Sequence, residues 1–240
     1  MAGELKYFCS LFVISEMEKK AYLFVLVLVM SQSLGFSQTS PTSYLSLKPT
    51  AFFNLDKLRQ PINFQQIDYP LLHAAIYFFT NEERSKAGLK PLLYSPEAFQ
   101  AAQGHAQDMV SHKFFSHTSP IRFSRTLRDR LNRQEANPKY IGENISSTFG
   151  IQYQEGKKVG KPIVPGEFTY LQASKRELIP PHTYFSFAQK AVQLWMNSPG
   201  HRQNILNPIF THLGCGAQVY FDPNFYQMPY FMAVQNFIGR

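Results

Sequence analysis

Two apolar runs near the end of the chain, Leu213–Tyr220 and Tyr230–Phe237, flank the turn sequence Asp222-Pro223-Asn224, whereas the periodic segments upstream have the period of a helix. The two runs read as an antiparallel hairpin. Upstream, Leu72, Ala75, Ile76, Phe79 and Glu83 recur at helical spacing, with Gly88 as a left-handed stop and Pro91 just beyond. Ser95-Pro96-Glu97 opens a second helix, with Ser as N-cap and Pro in the first turn. Its apolar face runs Ala98, Ala101, Ala102, His105, Met109, and it must end before Phe114-Phe115. A third, short helix is expected over Ser124–Arg133, a fourth over Thr183–Met196, and a fifth from Ser198 that Pro208 terminates. Helices that precede strands, with no βαβ alternation and no Gly-rich phosphate loop, predict a mixed layered protein and exclude a nucleotide-binding fold.

The front of the chain reads differently. Met17-Glu18-Lys19-Lys20 leads into the ten apolar residues Ala21–Met30, after which polarity returns. Ten residues span about half of a bilayer core, so the segment predicts a secretory signal and no permanent membrane span. Gly35 and Ser37 place the expected cut between Ser37 and Gln38, which makes residues 1–37 an extension plus signal. A basic signal normally begins at the initiator, so the expected start is Met17, and Cys9 then drops out of the exported chain. Residues 38–70, rich in Pro, Ser, Thr and Gln, are expected to form a linker or an arm wrapping the domain of 71–238. Cys215, flanked by Gly214 and Gly216, reads as a small buried hydrophobe.

Lys and Arg outnumber Asp and Glu by 24 to 16, a net charge of +8 that favours polyanions. Outside the cytoplasm those are envelope polymers and lipids, and nucleic acid is not expected as a partner. The third helix concentrates Arg125, Arg128, Arg130 and Arg133. It reads as a solvated face whose repulsion Asp129 relieves, the alternative being a patch for an anionic polymer. Residues 146–181, punctuated by Gly and Pro, read as a long inserted loop with a hairpin through Phe168–Leu171.

Three islands carry chemistry: Phe115-Ser116-His117-Thr118, Gly142-Glu143-Asn144-Ile145, and Trp195 through Leu206 with Ser198-Pro199-Gly200-His201 at its centre. His117 follows directly on a helix end, where it can enter a cleft for proton transfer or coordination. Glu143 sits between two residues that favour irregular backbone and can act as a base, a metal ligand or a backbone clamp. His201 falls in the first turn of the helix capped by Ser198, near the positive end of its dipole, which favours the neutral ring. His105 reads as a satisfied core histidine, and His182 as a loop residue that could approach the cleft.

Together with Asn81-Glu82-Glu83-Arg84, Ala87–Leu92 and Ala106-Gln107-Asp108-Met109, these islands resemble, in this order, the CAP superfamily (SCP-like; cysteine-rich secretory, antigen 5 and pathogenesis-related 1) in its bacterial secreted form. The resemblance implies an α+β fold, a three-layer α-β-α sandwich with a central antiparallel sheet. It also implies a cleft of two histidines and two acids, in which His117, Glu143 and His201 match three positions. The second acid is replaced here by Ser198. A zinc ion held by His117, His201 and Glu143 is the expected cofactor. The expected function is a secreted, monomeric binding or envelope-associated module for a lipid, peptide or envelope polymer. The alternatives are a metal-dependent hydrolase with Glu143 as catalytic base, and a structural domain whose polar cluster only braces loops.

Overall fold

The computed structural model describes residues 42–171 and 176–239. The expected signal, its cleavage point, the Met17 start and Cys9 lie outside these residues. The chain divides after Thr39 into two units, and everything below concerns the second, Ser40–Arg240.

Its first stretch is folded. Helices α1 (Thr42–Leu45) and α2 (Pro49–Phe53), then a 3-10 turn over Asp56–Arg59, bring Phe52, Leu58 and Ile62 into the core. Phe52 stacks on Phe78 with ring centroids 4.2 Å apart. The chain then enters α3 (Tyr69–Lys86), whose N-cap Asp68 accepts from the Leu71 amide at 3.0 Å. Gly88, at φ +73°, reverses the chain after that helix as its sequence predicts. The two-residue strand β1 (Leu93–Tyr94) leads to α4 (Pro96–Ser111), capped by Ser95, whose hydroxyl accepts from the Ala98 amide at 3.1 Å.

Helix α5 covers only Leu127–Asn132 and follows a 3-10 turn at Arg122–Ser124, so the helix expected over Ser124–Arg133 is shorter at both ends. The reason is local. Thr126 is the N-cap, and Asp129 returns its carboxylate to the Thr126 amide at 2.9 Å in a capping box.

Strand β2 (Tyr140–Phe149) is followed by the hairpin of β3 (Phe168–Leu171) and β4 (Arg176–Ile179). The inserted loop therefore starts after Phe149 and not at Ser146, because Ser146–Phe149 continue β2 against Ala233–Tyr230. Helices α6 (Tyr184–Asn197) and α7 (Pro199–Ile205) precede the paired strands β5 (His212–Asp222) and β6 (Met228–Gly239).

The sheet runs β1-β5-β6-β2, with β1 parallel to β5 and the other pairs antiparallel. Alternation along β6 sorts its two faces. Phe231, Ala233 and Phe237 pack with α3 and α6, and Met232 and Val234 pack with Ala102, Ala106 and Met109 of α4. Helices on both faces of an antiparallel-rich sheet make the α-β-α sandwich. Two glycines set the spacing of one layer: a Cβ on Gly214 would lie 2.0 Å from the Phe99 nitrogen, and one on Gly216 would lie 2.4 Å from that of Gln103. The helix rests directly on the strand there.

Candidate functional site

Strand β2 presents Glu143 toward the α4 side, opposite Asn236 of β6. The Glu143 side chain is only 5% exposed, so its charge requires partners. It has several. Arg130 Nη2 donates to Oε2 at 2.6 Å, and His117 Nδ1 lies 2.9 Å from Oε1. The Asn236 amide, with its nitrogen toward the carboxylate, donates to Oε2 at 3.1 Å and accepts from the Ala102 amide at 3.0 Å. Burial alone would raise the Glu143 carboxyl. The hydrogen bond from His117 and the Arg130 charge outweigh it and hold the group below the ordinary carboxylate range.

Arg130 was expected on a solvated face. It is 3% exposed instead, because Leu127, Arg130 and Leu131 share the inner side of α5. Its guanidinium also donates to the Ser124 carbonyl at 3.0 Å. Asp129, which was expected to relieve the arginines, has its carboxylate engaged in capping the helix. His105 lies fully buried beneath the pair, 4.0 Å from Glu143 Oε1, with Nε2 on the Ser116 carbonyl at 3.0 Å. Its Nδ1 has no partner, so it is not the satisfied histidine expected. Burial holds its pKa down at about 4, so the ring is neutral.

A second hydrogen-bond chain fixes α7. The Asn144 amide donates to the His201 carbonyl at 3.1 Å and to Gln235 Oε1 at 2.9 Å, while Asn204 donates to Asn144 Oδ1 at 2.9 Å. Gln235 in turn donates to Thr80 Oγ1 of α3 at 2.6 Å. The half-buried His201 ring is held below its ordinary pKa by burial and by the charge of His117. The His201 backbone is tied to Asn144, the neighbour of Glu143 on β2. Ser198 occupies the N-cap position of α7, but its side chain makes no capping bond. His182 is engaged elsewhere, with Nδ1 2.9 Å from Ser186 Oγ and its ring against Phe187.

The structure thus joins His117 to Glu143, anchors the His201 backbone to the adjacent Asn144, and adds Arg130, His105, Asn236 and Asn204. The zinc set expected from His117, His201 and Glu143 does not fit this arrangement. Both Glu143 oxygens are held by donors, one of them a guanidinium. Among the described residues no group of three His, Cys, Asp or Glu side chains is placed to hold a metal ion. What remains is a buried ion pair capped by an exposed histidine.

The family model described as the cysteine-rich secretory protein family (CAP) matches residues 77–237. Among curated proteins, the chain is 34% identical over 137 residues to the uncharacterized protein YkwD of Bacillus subtilis, covering 57% of this chain and 38% of that one. It is 31% identical over 147 residues to the uncharacterized membrane protein YlbC of the same organism, covering 61% and 32%. The chain thus spans about a third of the length of these relatives. Among solved structures, an extracellular protein containing a SCP domain from Bacillus anthracis aligns at a TM-score of 0.48 with 28% identity, over 75% of this chain and 45% of that one. A cysteine-rich secretory protein from Staphylococcus aureus aligns at 0.43 with 16% identity, over 72% and 40%.

Proposed function

The chain belongs to the cysteine-rich secretory protein (CAP) family, and we propose that within it this protein is an exported, envelope-associated binding domain and not an enzyme. Its ligand is engaged by the cleft of His117, Glu143 and His201, with Ser198 at the edge. One observation carries the reading: the Glu143 carboxylate is paired to Arg130 and His117 and held below the ordinary range. A general base works best with a pKa near the operating pH, and a carboxylate stabilised in its charged form is a poor proton acceptor. The exposed His117 ring, 55% accessible and anchored by its Nδ1, is then the group that meets a ligand. Among the described residues no helix is long and apolar enough to cross a membrane. Export follows from the apolar run at Ala21–Met30.

The test incubates the purified full chain with peptidoglycan sacculi and with a casein digest, with and without added zinc. Co-sedimentation with sacculi, its loss in His117→Ala, and no new fragments by mass spectrometry are expected. Zinc-dependent cleavage that disappears in Glu143→Gln would sink the binding reading. Export is checked separately, by the N-terminal peptide of the protein recovered from outside the producing cells. It should begin at Gln38.

A further inference from the structure

More than half of the net charge sits in one short stretch. Residues 113–139 hold seven Lys and Arg against Asp129 and Glu135, which leaves +5 of the chain's +8. Only Arg130 turns inward to Glu143. Arg122, Arg125, Arg133 and Lys139 are exposed and Arg128 is half-buried. Among the described residues none of these five lies within 4.0 Å of a carboxylate, whereas the lysines at 57 and 86 do have acidic partners. Asp129 is occupied by the capping box of α5. A concentration of unneutralised cations is costly through self-repulsion and favourable toward a polyanion.

The cations are also presented in order. Arg122 lies over the Phe123 ring, 5.3 Å from its centroid, and Phe123 itself is 68% exposed. Lys139 lies over Tyr140 at 5.2 Å. Between α4 and α5 the same face opens into a recess of about 180 Å³, lined by Gln100, Asp108, Ser124, Arg130, Arg133 and Gln134 among others. Arg130 keeps one buried N–H, at Nε, without an acceptor. Five of the seven cations of this stretch are arginines, whose planar fork matches the oxygens of a phosphate in a way an ammonium does not.

We propose that the face formed by the Arg122–Ser124 turn and α5 is a docking surface for a phosphodiester-linked anionic polymer of the cell envelope. The exposed arginines each take a phosphate of the strand, and the recess beside Arg133 accepts one repeating unit. The choice of an envelope polymer over nucleic acid rests on the export reading above. The surface adjoins the His117 site through Arg130 and His105, but Arg122, Arg125 and Arg133 lie outside that site.

The test measures binding of the full chain to purified poly(glycerol phosphate) by fluorescence anisotropy across a salt series. The affinity is expected to fall roughly tenfold or more between about 50 and about 200 mM salt, as release of counterions from several phosphates requires. The triple variant Arg122→Gln, Arg125→Gln, Arg133→Gln should lose about tenfold at low salt with its melting temperature kept. Lys157→Gln, Lys158→Gln, Lys161→Gln, which removes the same charge from the inserted loop, should lose less than about twofold. No binding at low salt, or equal losses in the two triple variants, overturns the proposal. So does tighter binding to single-stranded DNA or to phosphatidylglycerol vesicles. Loss in His117→Ala but not in the arginine variant would make the polymer a ligand of the cleft, overturning this surface while leaving the cleft reading intact.

Discussion

Arg130 is the residue on which the site turns, and its place follows from a spacing that the charge pattern conceals. In a row of Arg125, Arg128, Arg130 and Arg133, repulsion is the conspicuous property, and a solvated face is the natural reading. The apolar neighbours Leu127 and Leu131 carry the decisive information, since they put Arg130 on the buried side. Removing one member of a buried ion pair leaves the other uncompensated, at a cost of about 3–5 kcal/mol. Arg130→Met should therefore lower the melting temperature by roughly 6–20 °C for a domain of this size, read by circular dichroism. The double variant Arg130→Met, Glu143→Leu should recover much of that loss, because no buried charge is left. A double variant as unstable as the sum of the singles would mean that the pair is not coupled as described. His105 and Asn236 were equally hard to foresee. Their roles depend on what lies across a strand or a helix in space, and no local pattern encodes that.

At the scale of elements, much was legible because caps and stops are local chemistry. Ser95 accepts from an amide three residues on and Gly88 takes the left-handed backbone it alone tolerates freely, as their sequence predicts. Ser198 makes no capping bond, and the caps Asp68 and Thr183 were not foreseen. Strand β2 was not foreseen, since Gly142–Ile145 reads as irregular backbone and Ser146-Ser147-Thr148 as loop until their pairing with β6 is seen. The segment before α3 was likewise expected as a linker or wrapping arm. Its two short helices gain their order from burying Phe52 and Leu58, a tertiary effect. Packing of α4 on the sheet makes the sharpest test at this scale. Gly214→Ala forces a methyl against helix backbone that cannot rotate away, and should destabilise by about 3 kcal/mol or more in urea unfolding. Gly104→Ala, in the interior of α4 with nothing within 4 Å of the new methyl, should instead stabilise by roughly 0.5–1 kcal/mol. If both variants behave alike, the close contact is not what fixes the layer.

Across the whole molecule, the buried His73 and His105 and the half-buried His182 set the response to acid. Burial holds His73, His105 and His182 each at about 4, against an ordinary value of 6.5. The folded state keeps these rings neutral while the unfolded chain binds protons. Stability is therefore complete above pH 6.5 and is lost as pH falls toward 4, by on the order of 1.4 kcal/mol per unit for each ring. Glu143, lowered in the fold, adds its own loss only at still lower pH. Urea midpoints measured from pH 7 to pH 4 should fall continuously, and the slope should shrink by about a third in His105→Gln. An unchanged slope in that variant would remove His105 from the titration.

Strand β6 lies between β5 and β2, yet it is the last strand of the described chain. A polypeptide delivered N-terminus first, whether from a ribosome or through a translocation pore, holds β2 and β5 without their shared neighbour until residues 228–239 emerge. The sheet cannot close earlier, and so the helices have no platform on which to dock. On the export reading proposed above, late closure would keep the chain in a threadable form and defer folding until it has crossed the membrane. A chain ended at Gln227 should show no cooperative thermal transition, and one that melts sharply would refute this order of assembly.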